Sequence, residues 1–111
     1  MATLRELQEE GEPDILEELI GLFLEDAPGQ MAALGEAVKA GNARSVERIA
    51  HTLKGSSGNM GATRMAAICS ELEDIGVSGD FSKAPDLLKR LKVESEHVRE
   101  ALSVEVVRSR D

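Results

Sequence analysis

Residues 13–40 have the sequence PDILEELIGLFLEDAPGQMAALGEAVKA, in which apolar side chains recur every three or four positions. This is the period of an α-helix that buries one face. The apolar positions are Leu16, Leu19, Ile20, Phe23, Ala27, Met31, Leu34 and Val38. Pro13 suits the first position of the helix. Pro28 removes the hydrogen bond to the carbonyl of Leu24, so we predict a kink or a break at Pro28 and Gly29.

Three further segments show the same helical period. We predict helices over residues 43 to about 57, 62–75 and roughly 82–107. Their apolar faces consist of Val46, Ile49, Ala50 and Leu53; of Met65, Ala66, Ile68, Cys69, Leu72 and Ile75; and of Leu87, Leu88, Leu91, Val98 and Leu102. We expect Asn42 to cap the first of these helices and Gly76 to end the second.

The N-terminal residues predict a short helix of their own. Thr3 and Glu6 have the spacing of a capping box, and Gly11 is expected to end this helix. The turns between the predicted helices are short, and short turns favour antiparallel neighbours. We therefore predict an all-α protein, an antiparallel four-helix bundle with a short additional N-terminal helix. It forms a single domain over residues 1–111, with a core at roughly 12–104.

The composition supports this fold class and argues against several kinds of protein. Apolar residues make up 41% of the 111 residues but aromatic residues only 2%, which suits helix packing better than a β-sandwich. The net charge of −8 argues against nucleic-acid binding. The single cysteine, Cys69, has no partner for an internal disulfide, and no segment predicts a transmembrane helix or a signal peptide. We therefore expect a soluble, cytoplasmic, monomeric protein.

His51 is predicted to point away from the core. By the helical period it lies about 140° around the helix from the centre of the apolar face. Its side of the helix also carries Arg44, Glu47, Arg48, Lys54, Gly55 and Gly58. The second histidine, His97, lacks this setting and is interpreted as a surface residue. Cys69 lies among apolar neighbours and is interpreted as a core residue.

Two glycines on the exposed side of this helix need an explanation, because each costs about 1 kcal/mol of helix stability relative to alanine. Gly58 is accounted for if the helix stops there. Gly55 is not, and its missing side chain leaves room for another protein to close over His51. Lys54 stands three residues from His51, where its ammonium could meet an anion bound at the ring. We interpret this cluster as a phosphoryl acceptor site.

The chemistry of phosphoryl acceptance suits an imidazole. Free histidine has a pKa of about 6.5, so the neutral, nucleophilic ring is available near pH 7. Attack on phosphorus gives a reactive phosphoramidate that passes its phosphoryl group on. An acidic residue that holds Nδ1–H would leave Nε2 free to attack. Glu71, Glu73 and Asp74 on the next predicted helix are the candidates.

The run His51-Thr52-Leu53-Lys54-Gly55-Ser56 resembles the motif of histidine phosphotransfer (HPt) domains. The surrounding sequence is similar to that family at residues 23–27 (FLEDA), 61–62 (GA), 69–73 (CSELE) and 79–80 (GD). The resemblance covers about residues 12–104. It implies phosphorylation of His51 at Nε2, with Lys54 and Gly55 in support. It also implies that Glu73 takes the position that often contacts the histidine.

The resemblance implies a carrier that relays a phosphoryl group between receiver-domain aspartates in two-component signalling. Such a carrier has no ATP site and no cofactor of its own, and is not itself an enzyme. The expected partner is the receiver domain of a response regulator, of a hybrid sensor kinase or of both, and that receiver holds the Mg²⁺. Arg44 and Arg48 would complement its acidic rim, with Gly58 also in the docking surface. Ile15 and Leu22 either pack in the core or form an apolar docking patch.

Other interpretations account for part of the same pattern. A non-catalytic helical bundle shares every predicted helix, and only the set of His51, Lys54 and Gly55 speaks against it. The chain could also be a phosphoacceptor domain cut from a larger hybrid sensor kinase. The glycine-rich residues 55–61 do not predict a nucleotide loop, because no strand precedes them and Lys54 comes before the glycines. His51, Cys69 and His97 lack the spacing of metal ligands.

Overall fold

The computed structural model describes the backbone of residues 13–110 and the side chains of residues 15 and 17–106. This part of the chain forms four α-helices: α1 (Pro13–Ala40), α2 (Ala43–Asn59), α3 (Thr63–Ser78) and α4 (Ala84–Arg110). Each helix packs against the next, and α4 returns to contact α1. The predicted all-α four-helix bundle is confirmed. The short helix predicted over residues 3–11 lies outside the described residues.

The apolar faces that the helical period predicts come together in one core. Its most deeply buried side chains are Ile20, Leu34, Val46, Leu53, Met65, Cys69, Leu72 and Leu91. Leu19, Met31, Val38, Ala66, Leu88 and Val98 are half-buried at its edge. None of the described helices is both long and apolar enough to cross a membrane.

Of the kink or break predicted at Pro28 and Gly29, the break is wrong, because α1 continues through both residues. The helix runs continuously from Pro13 to Ala40, and Pro28 itself is exposed. Ala27 before it and Leu34 after it are both buried in the core. Packing on both sides of Pro28 therefore holds the helix together although one backbone hydrogen bond is missing.

Both ends of α2 agree with the sequence to within two residues. Asn42 accepts a hydrogen bond from the backbone N–H of Ser45 through its side-chain oxygen at 3.2 Å, which confirms it as the cap. The helix continues to Asn59, and Gly61, with a φ of +76°, lies in the turn that follows. Gly58 therefore lies inside the helix, and its interpretation as a helix stop is wrong.

Gly76 was also predicted to end a helix, and that prediction is wrong. The helix α3 continues to Ser78, where Gly79 caps it with a φ of +78°. Gly76 is instead buried against α2. A Cβ at this residue would lie 2.5 Å from the backbone nitrogen of Glu47 and 2.8 Å from the carbonyl oxygen of Ala43. The glycine therefore allows the backbones of α2 and α3 to approach closely.

Candidate functional site

His51 lies on the outer face of α2, where 68% of its side chain is exposed. The opposite face of the same helix is packed in the core through Val46, Ala50 and Leu53. The predicted orientation of the imidazole, towards solvent, is the observed one.

A carboxylate from α3 holds this imidazole on one side. Nδ1 of His51 lies 3.0 Å from Oε2 of Glu73, and Nζ of Lys54 lies 2.7 Å from Oε1 of the same carboxylate. Glu73 is only 20% exposed, whereas Glu71 and Asp74 point to solvent. Of the three acidic candidates, the structure places Glu73 beside His51.

The close contact between α2 and α3 explains how Glu73 reaches His51. Gly76 follows Glu73 by three residues on α3, and Glu47 precedes His51 by four on α2. Because the backbones meet at Gly76 and Glu47, the side chains one helical turn away face each other across a short gap. Gly76, which does not end the helix as predicted, therefore positions the site.

The charge of Glu73 determines which nitrogen of His51 carries the proton. The hydrogen bond from Lys54 is the main cause that lowers the pKa of Glu73 below its ordinary value of 4.5. Burial opposes it, and the hydrogen bond from His51 lowers the pKa by a smaller amount. The carboxylate is therefore ionised near neutral pH and can only accept hydrogen bonds. Nδ1 must then donate, which leaves Nε2 with a free lone pair on the exposed side of the neutral ring.

The two glycines near His51 are not required by the structure of the isolated chain. Gly55 and Gly58 both lie within α2, and neither has a positive φ. A Cβ at either position would meet no atom within 4 Å. Packing among the described residues therefore accounts for neither glycine. Their missing side chains instead fit a surface that another molecule approaches closely.

Of the residues predicted for docking, Gly58 is half-buried and the other four are exposed, but they do not all lie together. Arg44 and Arg48 are exposed on α2. Leu22, 57% exposed on α1, borders a groove between α1 and α2 that is also lined by Thr52, the residue after His51. Ile15 is 37% exposed and does not line that groove. The sequence did not indicate the other residues of the groove, among them Asp26, since they come from two helices.

The remaining reactive side chains have ordinary settings. Cys69 is fully buried, and burial raises the pKa of its thiol to about 11, so it is a core residue as predicted. His97 is exposed on α4, with Nδ1 at 3.6 Å from Oε2 of Glu94, which is too far for a good hydrogen bond. Neither residue shares the geometry of His51.

The chain is a helical bundle in which a carboxylate holds an imidazole that faces solvent. This is the arrangement that the resemblance of its motif to HPt domains predicts. The chain belongs to the Hpt domain family, which it matches over residues 18–102. The resemblance given by the motif is thereby confirmed.

Individual relatives agree with this assignment. The chain is 26% identical over 94 residues to histidine-containing phosphotransfer protein 2 of Arabidopsis thaliana, covering 82% of this chain and 60% of that protein. It is 27% identical over 73 residues to multistep phosphorelay regulator 1 of Schizosaccharomyces pombe, covering 66% of this chain and 25% of that protein. The chain thus spans less than two thirds of either relative.

The fold is also similar to that of a bacterial protein. The crystal structure of histidine-containing phosphotransfer protein B (HptB) from Pseudomonas aeruginosa PAO1 superposes with a TM-score of 0.89 at 35% sequence identity. The match covers 96% of this chain and 91% of that chain. The similarity therefore extends over the whole bundle and not over a single helix pair.

Proposed function

We propose that this chain is a phosphorelay carrier in which His51 accepts a phosphoryl group from one receiver domain and passes it to another. The observation that carries the proposal is the hydrogen bond between Nδ1 of His51 and Glu73 at 3.0 Å. It places the ring proton on the buried side and the free lone pair of Nε2 on the exposed side. A nucleophile in this orientation faces solvent, so a phosphoryl group carried by another molecule can reach it.

The proposed transfer balances without a further reactant. The lone pair of Nε2 attacks the phosphorus of an aspartyl phosphate on the receiver domain. A P–N bond forms, the P–O bond to the aspartate breaks, and the aspartate leaves as a carboxylate. The ring keeps its Nδ1 proton and becomes positively charged, and the ionised Glu73 beside it stabilises that charge. The reverse step delivers the phosphoryl group to the next receiver.

Lys54 and Gly55 support this step in different ways. Lys54 stands one turn from His51 and is 37% exposed, so its ammonium can turn towards a phosphoryl group on Nε2. Gly55 leaves the space next to the ring open for the receiver. Arg44 and Arg48 on the same face add positive charge that attracts an acidic receiver site.

The proposed partners are the receiver domains of a response regulator, a hybrid sensor kinase or both. In this scheme the Mg²⁺ and the aspartate belong to the receiver, and the carrier uses no cofactor, no nucleotide site and no catalytic machinery of its own. The chain is proposed to act as a monomer in the cytoplasm. The same chemistry applies whether it acts alone or within a longer protein.

The test is transfer of label from a purified receiver domain. A phosphorylated receiver with Mg²⁺ is mixed with the wild type, with His51→Gln and with the matched control His97→Gln. We expect acid-labile label on the wild type and on His97→Gln, and none on His51→Gln. If His51→Gln carries label while folded, His51 is not the acceptor. If the wild type accepts label from no receiver, the result contradicts the proposal and favours a non-catalytic helical bundle.

A further inference from the structure

A groove runs between α1 and α2 next to the site of His51, and the proposed transfer does not use it. Thr52, which follows His51 directly, lines it, and so does Ser56 one turn further on. Its floor is apolar, formed by Leu19, Leu22, Phe23, Ala27, Leu53 and Met60. Because Thr52 lies about 100° around α2 from His51, this α1–α2 groove borders the face that a receiver must cover.

The α1–α2 groove has a single formal charge among the described residues that line it, the carboxylate of Asp26. Asp26 is exposed and has no ion-pair partner within the described part of the chain. The hydroxyls of Thr52 and Ser56 donate to carbonyls of their own helix, at 3.1 Å each. Gln30 and Asn59 add neutral amides to the lining, so Asp26 is the charged group with which a positively charged partner would pair.

The charges around the site are divided between two sides. Arg44 and Arg48 are exposed on the side of His51, where Glu47 and the Lys54–Glu73 pair also lie, and Asp26 lies in the groove. A protein that covers both must present negative charge to the first side and positive charge to the second, because like charges facing each other in an interface are costly. An interface of ordinary size, about 800 Å² on each partner, reaches across both helices.

We propose that the α1–α2 groove selects among receiver domains by accepting an apolar side chain that is flanked by a lysine or an arginine, with Asp26 pairing to that basic residue. The inference rests on the proposed function, since it takes the occupant to be the receiver that exchanges phosphoryl with His51. The exposed Leu22 and the apolar floor hold the apolar side chain. Asp26 sets which receivers fit and in which orientation they dock.

The first test compares two variants with the same change of charge on the same helix. Asp26→Lys reverses the charge in the groove, whereas Glu25→Lys reverses the charge of its exposed neighbour, which does not line the groove. The receiver is the one that labels the wild type fastest in a survey of purified receivers. We expect Asp26→Lys to raise the half-saturating receiver concentration about tenfold with little change in the limiting transfer rate, and Glu25→Lys to change it less than about twofold.

The second test looks for the basic residue on the partner. Each exposed Lys or Arg on the docking face of that receiver is changed to Glu, and binding to the wild type and to Asp26→Lys is measured by titration calorimetry. We expect one receiver variant to bind the wild type about tenfold more weakly and to recover with Asp26→Lys. The proposal is overturned if no variant recovers, or if Asp26→Lys and Glu25→Lys behave alike. A failure of the proposed function would show instead as label on His51→Gln.

Discussion

The ammonium of Lys54 lies 2.7 Å from Oε1 of Glu73, so the positive charge beside His51 is already paired before any phosphoryl group arrives. From the sequence, the ammonium of Lys54 is expected to be free to bind an anion. In the structure, the carboxylate of Glu73 instead contacts both Lys54 and the imidazole of His51. A phosphoryl group on Nε2 must compete with Glu73 for Lys54. The two partners of Glu73 are therefore coupled through its charge.

Replacing Lys54 with methionine should slow transfer from the receiver about tenfold, because the variant keeps the aliphatic stem and loses the charge that meets the phosphoryl group. The rate is measured as label on the chain against time at saturating receiver. The control is Lys39→Met, which removes an exposed lysine from the last turn of α1. Equal rates for the two variants would mean that Lys54 does not contact the transferred group.

Glu73→Gln should keep a hydrogen-bond acceptor for Nδ1 of His51 but lose the negative charge that stabilises the charged ring. We expect transfer to slow about tenfold, equivalent to about 1.4 kcal/mol in the barrier, and Glu73→Ala to slow it further because the ring is then unheld. Single-turnover transfer at saturating receiver measures both. The matched control is Glu71→Gln, an exposed glutamate two residues away on α3. Wild-type rates in Glu73→Ala would contradict the positioning role.

The lowered pKa of Glu73 predicts how stability depends on pH. Its folded pKa lies below the ordinary value of 4.5, mainly through the hydrogen bond from Lys54. The stabilisation from the ionised group is therefore fully present above 4.5 and is lost as the pH falls through the lowered folded value. Urea unfolding of the wild type and Glu73→Gln over a series of pH values measures it. The difference in free energy of unfolding between the wild type and Glu73→Gln should shrink as the pH falls through this window. A constant difference would contradict the lowered pKa of Glu73.

The orientation of His51 followed from the sequence because a helical period is local, and the buried face of α2 defines its exposed face. The contact with Glu73 did not follow in the same way. Residues 71, 73 and 74 all lie on the next helix, and only the rotation of α3 against α2 brings one of them to the ring. The resemblance to a known family pointed to Glu73, whereas spacing alone left three candidates.

Pro28 and Gly76 show where local rules were overridden. Both residues were interpreted by their backbone preferences, as a helix breaker and a helix end. Packing decided otherwise, since α1 is buried on both sides of Pro28 and α2 presses directly on Gly76. Such contacts come from distant parts of the sequence, so residue preferences could not predict them.

Gly55→Gln should leave the fold intact and slow transfer. The side chain has open space around it in the isolated chain, and glutamine is a better helix former than glycine, so stability should rise by a few tenths of a kcal/mol up to about 1 kcal/mol. The same side chain would stand in the space that the receiver must enter, and we expect transfer to slow at least about tenfold. Thermal unfolding and the labelling assay measure the two effects.

The control for Gly55→Gln is Gly21→Gln. Gly21 is also an exposed glycine within a helix, and it has open space around it. It lies on α1 and does not line the α1–α2 groove. It should show the same gain in stability with unchanged transfer. If both variants transfer at the wild-type rate, Gly55 does not clear space for the receiver.

Gly76→Ala should both destabilise the bundle and impair the site. The added Cβ would lie 2.5 Å from the nitrogen and 2.7 Å from the Cα of Glu47, and these backbone atoms cannot rotate away. Helices α2 and α3 must then separate, at a cost of about 1–3 kcal/mol in urea unfolding. The separation also draws Glu73 away from His51, so transfer should slow under conditions where the variant remains folded. Gly21→Ala, which adds a methyl group in open space, should instead gain up to about 1 kcal/mol. A fully stable Gly76→Ala would show that the close approach of α2 and α3 does not position the site.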